Sequence, residues 1–288
     1  MVRSGRPPRA FTKLSRLNRL ARRLIIRPGG IGDCILSLPA MEHLRTESTE
    51  VWVPSSIVPL IRFAKARAIA STGIDLLGLP GVKAPAGLIQ RLRSFDSIVS
   101  WYGANRADFR EQVKALGLPV QFLDALPAPG TKIHAADFFL KQVGGDGVAI
   151  PRIDCERALA PDFAAIHPFS GSARKNWPIE RFREVAARLG MRVRWCAGPE
   201  EVLDDAVRFE SLYDLGCWLA SARVYIGNDS GITHLAAAVG TPVVAIFGPT
   251  DPAVWGPRGE RVSVVRGKLE DITVDKVLEA GTVTTSEI

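Results

Sequence analysis

The chain has 288 residues, 47% of them hydrophobic, enough for two globular domains and too apolar for a disordered chain. Lys and Arg number 37 against 30 Asp and Glu, yet eight of the basic residues and no acid fall within residues 1–23. The remaining chain therefore holds 29 basic against 30 acidic side chains, which argues against a body built to bind nucleic acid and places the surplus charge in one N-terminal arm.

In that arm Phe11, Leu14, Leu17, Ala21 and Leu24 recur at three- or four-residue intervals, with Lys13, Arg16, Arg19, Arg22 and Arg23 between them. This is the pattern of a helix lying on an anionic membrane surface, where each cation contributes about 1 kcal/mol; a disordered tail fits the same residues. Arg23–Arg27 reads as a short buried strand, broken by Pro28-Gly29-Gly30-Ile31-Gly32 before a helical pattern opens at Asp33 with Ile35, Leu36, Leu38 and Met41. Val51–Val53 and Ser97–Trp101 read as strands, and 55–65, 104–116 and 134–143 as helices. A Gly/Pro-rich stretch over 144–162 has the composition of a linker. The rhythm then restarts with strands at Phe163–Ile166, Val193–Ala197, Val224–Ile226 and Val243–Phe247, and helices over 178–189, 211–221 and 230–239. Strands alternating with helices predict parallel sheets covered by helices, in two halves: an N-terminal domain over 23–150 and a C-terminal domain over 163–280, preceded by the arm at 1–22.

Cys34, Cys155, Cys196 and Cys217 form no C-x-x-C pair and no dense framework, which fits a reducing compartment. No apolar run approaches the roughly 18 residues that span a bilayer, and the arm lacks the apolar core and cleavage site of a signal peptide. A soluble cytoplasmic protein is expected.

Three clusters sit where a strand feeds a helix, the place where α/β sheets bind ligands. In the first, Gly30-Ile31-Gly32 lacks the third Gly of a dinucleotide fingerprint, because Ile35 holds that position. What remains is a Gly turn that delivers Asp33 to a helix start, where an N-cap role fits the spacing as well as catalysis does. The second, His167 through Pro178, gathers Ser170, Gly171, Ser172, Arg174 and Lys175 ahead of a helix. Amides, hydroxyls and cations in one turn suit an oxyanion or phosphate, although an ordinary polar loop has the same composition. No Walker spacing is present. The third runs from the strand Val224–Ile226 into Gly227-Asn228-Asp229-Ser230-Gly231 and an Ala-rich helix with Thr233 and His234 on its first turn. Asp229 and His234 lack a third zinc ligand, and Asn228 stands where a hydrolase nucleophile elbow needs Gly. An anion-binding helix terminus at Ser230 and Gly231 is the better reading.

Taken in order, Leu24–Asp33 with Leu38-Pro39-Ala40, His167-Pro168 through Lys175-Asn176-Trp177-Pro178, and Ile226–Gly231 through His234–Ala238 with Gly240-Thr241-Pro242 resemble glycosyltransferase family nine, the heptosyltransferases of the lipopolysaccharide inner core. The likeness extends through Phe247-Gly248-Pro249-Thr250-Asp251-Pro252. It implies the GT-B architecture, two Rossmann-like domains facing across a cleft, with the acceptor on the N-terminal domain and an ADP-sugar on the C-terminal one. It also implies inverting transfer without a bound metal or other cofactor, from a nucleotide-sugar to a glycan or lipid-linked acceptor; read with the basic arm, the expected place is the cytoplasm, peripherally on the inner face of the inner membrane. Asp33 matches the family's base. The leaving diphosphate falls to Lys175, to Ser170, Gly171 and Ser172, and to the helix start at Asp229, Ser230 and Gly231 with His234. Glu200 lies where the family holds the ribose, and Leu212 near the adenine. Arg62, Arg67, Arg91 and Arg106 are candidates for acceptor phosphates or acids, or plain solvated surface. Cys34 reads as a small packing residue rather than a nucleophile. Two alternatives stay open: another GT-B activity such as nucleotide-sugar epimerisation, and a non-catalytic sugar-nucleotide-binding protein. NAD-dependent oxidoreduction ranks last for want of the third Gly.

Overall fold

The computed structural model describes residues 21–156 and 162–285, so most of the basic arm lies outside the described residues. Two compact units emerge. Among the described residues, the first comprises those up to Pro28, Met41–Ala125 and Lys141–Gly145; the second comprises Gly29–Ala40, Leu126–Leu140 and those from Asp146 onward.

The first unit is built on five parallel strands: β1 (Arg22–Ile26), β2 (Ser48–Val53), β3 (Lys65–Ala68), β4 (Ser97–Ser100) and β5 (Val120–Phe122), in the order β3-β2-β1-β4-β5. Ile25 pairs in register with Val51 on one side and Val99 on the other. A central strand covered on both faces needs an unbroken apolar run, and Leu24, Ile25 and Ile26 supply it. The expected helix over 55–65 is instead a 3₁₀ turn, Ser55–Leu60 with Pro59 inside it, followed by the edge strand β3. Proline removes a helical donor there, and Lys65–Ala68 finds its partners along β2.

Two of the candidate acceptor arginines are committed within this unit. Glu50, buried in β2, accepts hydrogen bonds from Trp52 Nε1 at 2.7 Å and from Arg91 at 2.6 and 2.7 Å, with Arg67 Nε 3.6 Å away. Burying a carboxylate is tolerable only when it is paired in this way, so Arg91 and Arg67 compensate Glu50 instead of awaiting a ligand. Arg106 donates to Tyr102 Oη at 2.8 Å.

The second unit also carries five parallel strands: β6 (Phe163–His167), β7 (Arg192–Trp195), β8 (Val224–Asn228), β9 (Val243–Phe247) and β10 (Val262–Arg266), ordered β10-β9-β8-β6-β7. Ile226 of β8 faces Ile166 of β6 and Val244 of β9 in register, and these residues are fully buried. The sheet is flanked by α6 (Ile179–Arg188), α7 (Leu212–Ala220), α8 (Gly231–Ala238) and α10 (Val274–Thr285). Trp177 and Phe182 meet edge to face at 5.0 Å in the core beneath α10. Strand order reverses between β6 and β8, so the loops leaving those two strands flank the switch point at which open α/β sheets leave a crevice.

Two segments of the second unit come from earlier in the chain: Gly29–Ala40, with the short helix α1 (Ile31–Leu36) and the start of α2 (Leu38–His43), and Leu126–Leu140, with α5 (Ala135–Gln142) as far as Leu140. Arg258 fixes α5 through two hydrogen bonds to Asp137, whose carboxylate also accepts the Ala149 N–H at 2.8 Å. These bonds hold the Asp137 carboxyl below its usual range despite the opposing effect of burial.

Candidate functional site

The turn that enters α1 begins at Gly29, whose φ of +127° is open to glycine and strained for other residues. A Cβ there would also press within 3.1 Å of Asp33 Cβ. Asp33, the third residue of α1, accepts the Gly30 N–H at 3.1 Å through Oδ2 and is half-buried. Gly30, and not Asp33, is the N-cap of α1; Asp33 stands at the third helical position and bonds back to the cap amide, while Cys34 beside it packs into the interior.

Helix α1 abuts the first turn of α8 through two glycines. A Cβ on Gly231 would lie 2.6 Å from Ile31 Cβ and 3.1 Å from Gly32 N; a Cβ on Gly32 would lie 3.0 Å from His234 Cδ2. These bare backbones let the two helix starts meet, and they set Asp33 one residue from the contact with His234. Ser230 caps α8 by accepting the Thr233 N–H, and the Thr233 hydroxyl donates to the Asn228 carbonyl. The Gly231 and Ile232 amides are left without a partner among the described residues, two donors at the positive end of a helix dipole.

His234 is buried, and its Nδ1 meets no hydrogen-bond partner. Desolvation pulls its pKa down to about 4, against the opposing charge of Asp229 and with help from His134 and Lys175. The imidazole is therefore neutral at pH 7, so it adds no positive charge to this turn. Burial lowers the pKa of His134 as well; its Nε2 donates to the Gly256 carbonyl at 2.9 Å and its Nδ1 accepts the Ala136 N–H. Lys175 Nζ stands 2.8 Å from Oδ2 of the buried Asp229, an ion pair without aligned hydrogen-bond geometry. An ammonium has three donors, so this pairing leaves capacity for a second anion.

The loop after β6 is tied at both ends by a residue outside the predicted ligand set. Asn228, fully buried at the end of β8, accepts the Trp177 N–H at 3.0 Å and donates from Nδ2 to the Pro168 carbonyl at 2.7 Å. One amide thus clamps both ends of the 168–177 loop that carries Ser170, Gly171, Ser172 and Lys175. Within the loop the Ser170 hydroxyl lies 2.7 Å from Asn176 Oδ1 and 2.8 Å from the Ser172 carbonyl. That hydroxyl braces the turn, while Gly171 is exposed.

Glu200 is exposed, and the anchored carboxylate is that of its neighbour. Glu201 accepts the Gly198 N–H at 2.6 Å and His167 Nε2 at 2.9 Å, bonds that hold its pKa down against burial. Leu212 opens α7, half-buried, behind the Ser211 cap. Asp33, Lys175, Asp229, Ser230, Gly231 and His234 thus belong to one packed set of elements within the second unit. Among the described residues no three His, Cys, Asp or Glu side chains gather to hold a metal ion, and no helix is long and apolar enough to cross a membrane.

Comparison with known proteins bears on the family and the fold. Residues 147–280 match the model of glycosyltransferase family 9 (heptosyltransferase). Lipopolysaccharide heptosyltransferase 1 of Salmonella typhimurium is 26% identical over 147 residues, 43% of this chain and 46% of that protein. The matched stretches span about a third to just under half of the first curated relatives' lengths. A family 9 glycosyl transferase from Veillonella parvula superposes with a TM-score of 0.73 at 16% identity, covering 93% of this chain and 98% of that one. E. coli heptosyltransferase WaaC with ADP superposes at 0.64 and 18% identity, covering 91% and 99%. The fold is GT-B, α/β with two Rossmann-like parallel sheets. The profile match falls on the sheet that carries the Lys175, Asp229 and Ser230 loops, so it is this part of the chain that is similar to glycosyltransferase family 9, the heptosyltransferase family.

Proposed function

We propose that the protein is an inverting, metal-independent glycosyltransferase that moves heptose or a related sugar from an ADP-sugar to a lipopolysaccharide core or similar glycan. The observation that carries this reading is the packing of α1 on α8 through Gly32 and Gly231, which puts a carboxylate, Asp33, beside a helix start that offers unpaired amides. Inversion is one in-line displacement at the anomeric carbon. It requires a base for the acceptor hydroxyl proton and stabilisation of the charge that develops on the departing diphosphate. Asp33 serves as the base: its Oδ2 is oriented by the Gly30 N–H, so the carboxylate is held rather than searching. The Gly231 and Ile232 amides, the α8 dipole and Lys175 receive the diphosphate as charge builds. Fixed donors and one ammonium would then do the electrostatic work that a divalent cation does elsewhere.

The second unit is assigned the donor. The loops after β6 and β8 supply the diphosphate contacts, with Glu200 toward the ribose and Leu212 toward the adenine. The presence of ADP with the structurally similar WaaC favours an adenine nucleotide. The first unit is assigned the acceptor, and the basic arm, residues 1–22, an anionic membrane surface. Deleting the arm tests the last assignment: equal sedimentation with anionic liposomes by the full and shortened chains removes it.

The central test is Asp33→Asn. Loss of a general base is expected to lower turnover by about 10²–10⁴-fold, while ADP still raises the melting temperature as it does for the unaltered chain. Full transfer by Asp33→Asn overturns the base assignment. Absence of any ADP-induced shift in the unaltered chain overturns the donor assignment.

A further inference from the structure

The four cysteines sort into two classes. Cys34 and Cys196 are buried, and burial, reinforced by nearby Glu201, pushes the Cys196 thiol far above its ordinary pKa. Cys155 and Cys217, 62 positions apart in sequence, stand with their sulfurs 3.0 Å apart, and both are half-buried. Cys217 lies on α7, and Cys155 on the irregular segment 150–156 that touches it. The Cys155 sulfur sits over the side-chain-free position at Gly216, where a Cβ would be 3.8 Å away. The Tyr213 hydroxyl, one turn earlier on α7, donates to the Asp154 carbonyl at 3.2 Å and holds the segment in place. A cavity of about 520 Å³ opens beside the pair, lined by Ile153, Cys155, Tyr213, Ala238, Gly259 and Glu260.

A disulfide needs its sulfurs at about 2.0 Å, so closing this pair requires about 1 Å of movement, within the reach of a side-chain rotation on a segment already held against α7. We propose that Cys155 and Cys217 form a dithiol site that takes a low-molecular-weight disulfide, such as glutathione disulfide, as its oxidant. One protein thiolate attacks a sulfur of the small disulfide and releases one small thiol, leaving a mixed disulfide. The second protein thiolate then attacks the protein sulfur of that bond and releases the other small thiol. The protein dithiol is oxidised by two electrons, and the small disulfide is reduced to two thiols. The bond ties segment 150–156 to α7, the helix that begins at Leu212. Because the site is independent of Asp33 and Lys175, it stands or falls apart from the proposed transfer reaction.

The full-length folded chain, incubated in glutathione mixtures of rising oxidised fraction, alkylated and digested without reductant, tests the site. A Cys155–Cys217 linked peptide is expected to accumulate, with Cys34 and Cys196 alkylated only after unfolding. The linked protein is expected to melt several degrees above the reduced one, since the bond closes a long loop. Cys155→Ser and Cys217→Ser should each lose the linked peptide and the oxidation-dependent melting shift, and each should retain one glutathione on the remaining thiol. The proposal is overturned if both cysteines stay alkylatable at every ratio, if both carry glutathione without linking, or if either serine variant keeps the melting shift.

Discussion

Gly231→Ala tests whether the contact between α1 and α8 is what positions Asp33. Non-bonded carbon atoms rest at about 3.5–4.0 Å, whereas the added Cβ would lie 2.6 Å from Ile31 Cβ, 2.9 Å from its Cγ2 and 3.1 Å from Gly32 N. One of these neighbours is backbone and another a branched Cβ fixed to it, so rotamer changes give no relief. The helices must part by about 1 Å. Overpacking of this kind costs about 1–3 kcal/mol. Asp33, two residues beyond Ile31, moves with its helix, and a displacement near 1 Å at a reacting group costs on the order of 10²-fold in rate. Transfer from ADP-heptose to a lipopolysaccharide-core acceptor, measured beside urea unfolding by tryptophan fluorescence, reads both effects. Gly281→Ala is the control: its added Cβ meets nothing within 4 Å inside α10, so stability should rise by up to about 1 kcal/mol with activity unchanged. A Gly231→Ala enzyme with unaltered unfolding and unaltered transfer refutes the positioning role of this contact.

Two further outcomes follow from the same unit. Asn228→Ala strands the Trp177 N–H and the Pro168 carbonyl, both buried, at about 1–3 kcal/mol each; the 168–177 loop should become a site of proteolytic cleavage and ADP affinity should fall, and a variant as protease-resistant as the parent contradicts the clamp. His234 takes up a proton near pH 6.5 in the unfolded chain but only near pH 4 in the folded one. Its contribution is thus complete above pH 6.5 and is lost as pH falls toward 4, a loss of about 3 kcal/mol. His234→Gln should flatten that part of the stability profile, and identical pH slopes for the two proteins would show that the buried neutral imidazole is not the cause.

What the sequence makes legible here is local, and what it hides is set by distant contacts. Leu24-Ile25-Ile26 and Val243–Phe247 announce central strands because both faces of a parallel sheet are buried, so a short apolar run suffices. Lys65–Ala68 carries no such signal: it is a half-exposed edge strand that exists because β2 offers it a ladder. The same division holds at the site. The turns at Gly29, Ser170 and Ser230 are readable because a strand, a turn and a helix start follow one another in the chain. Asn228 reads only as one letter of its turn, since its function is to span to Pro168 and Trp177, 60 and 51 residues away. Glu201 rather than Glu200 is anchored because His167 donates to it from the end of β6, which composition does not reveal. The pairing of Cys155 with Cys217 depends on the path of the chain beside α7.

The charge balance at the donor loops leads to the sharpest test of how a diphosphate would be held. Lys175 is matched by Asp229, and His234 is neutral, so these three side chains together bring no net positive charge. Attraction for an anion then rests on the Gly231 and Ile232 amides and the α8 dipole, and the main electrostatic task of Lys175 is to cancel a buried carboxylate that would otherwise repel the phosphates. Lys175→Ala should weaken ADP binding by on the order of 10²-fold, because it both removes a donor and exposes the ligand to Asp229. Adding Asp229→Asn to that variant should recover at least about tenfold, or 1.4 kcal/mol, although the single Asp229→Asn substitution removes no phosphate donor. If Lys175 acts only as a direct phosphate ligand, its loss costs the same in either background and the double variant recovers nothing. Titration calorimetry of the four proteins with ADP separates the two cases, and strict additivity would refute the cancellation argument.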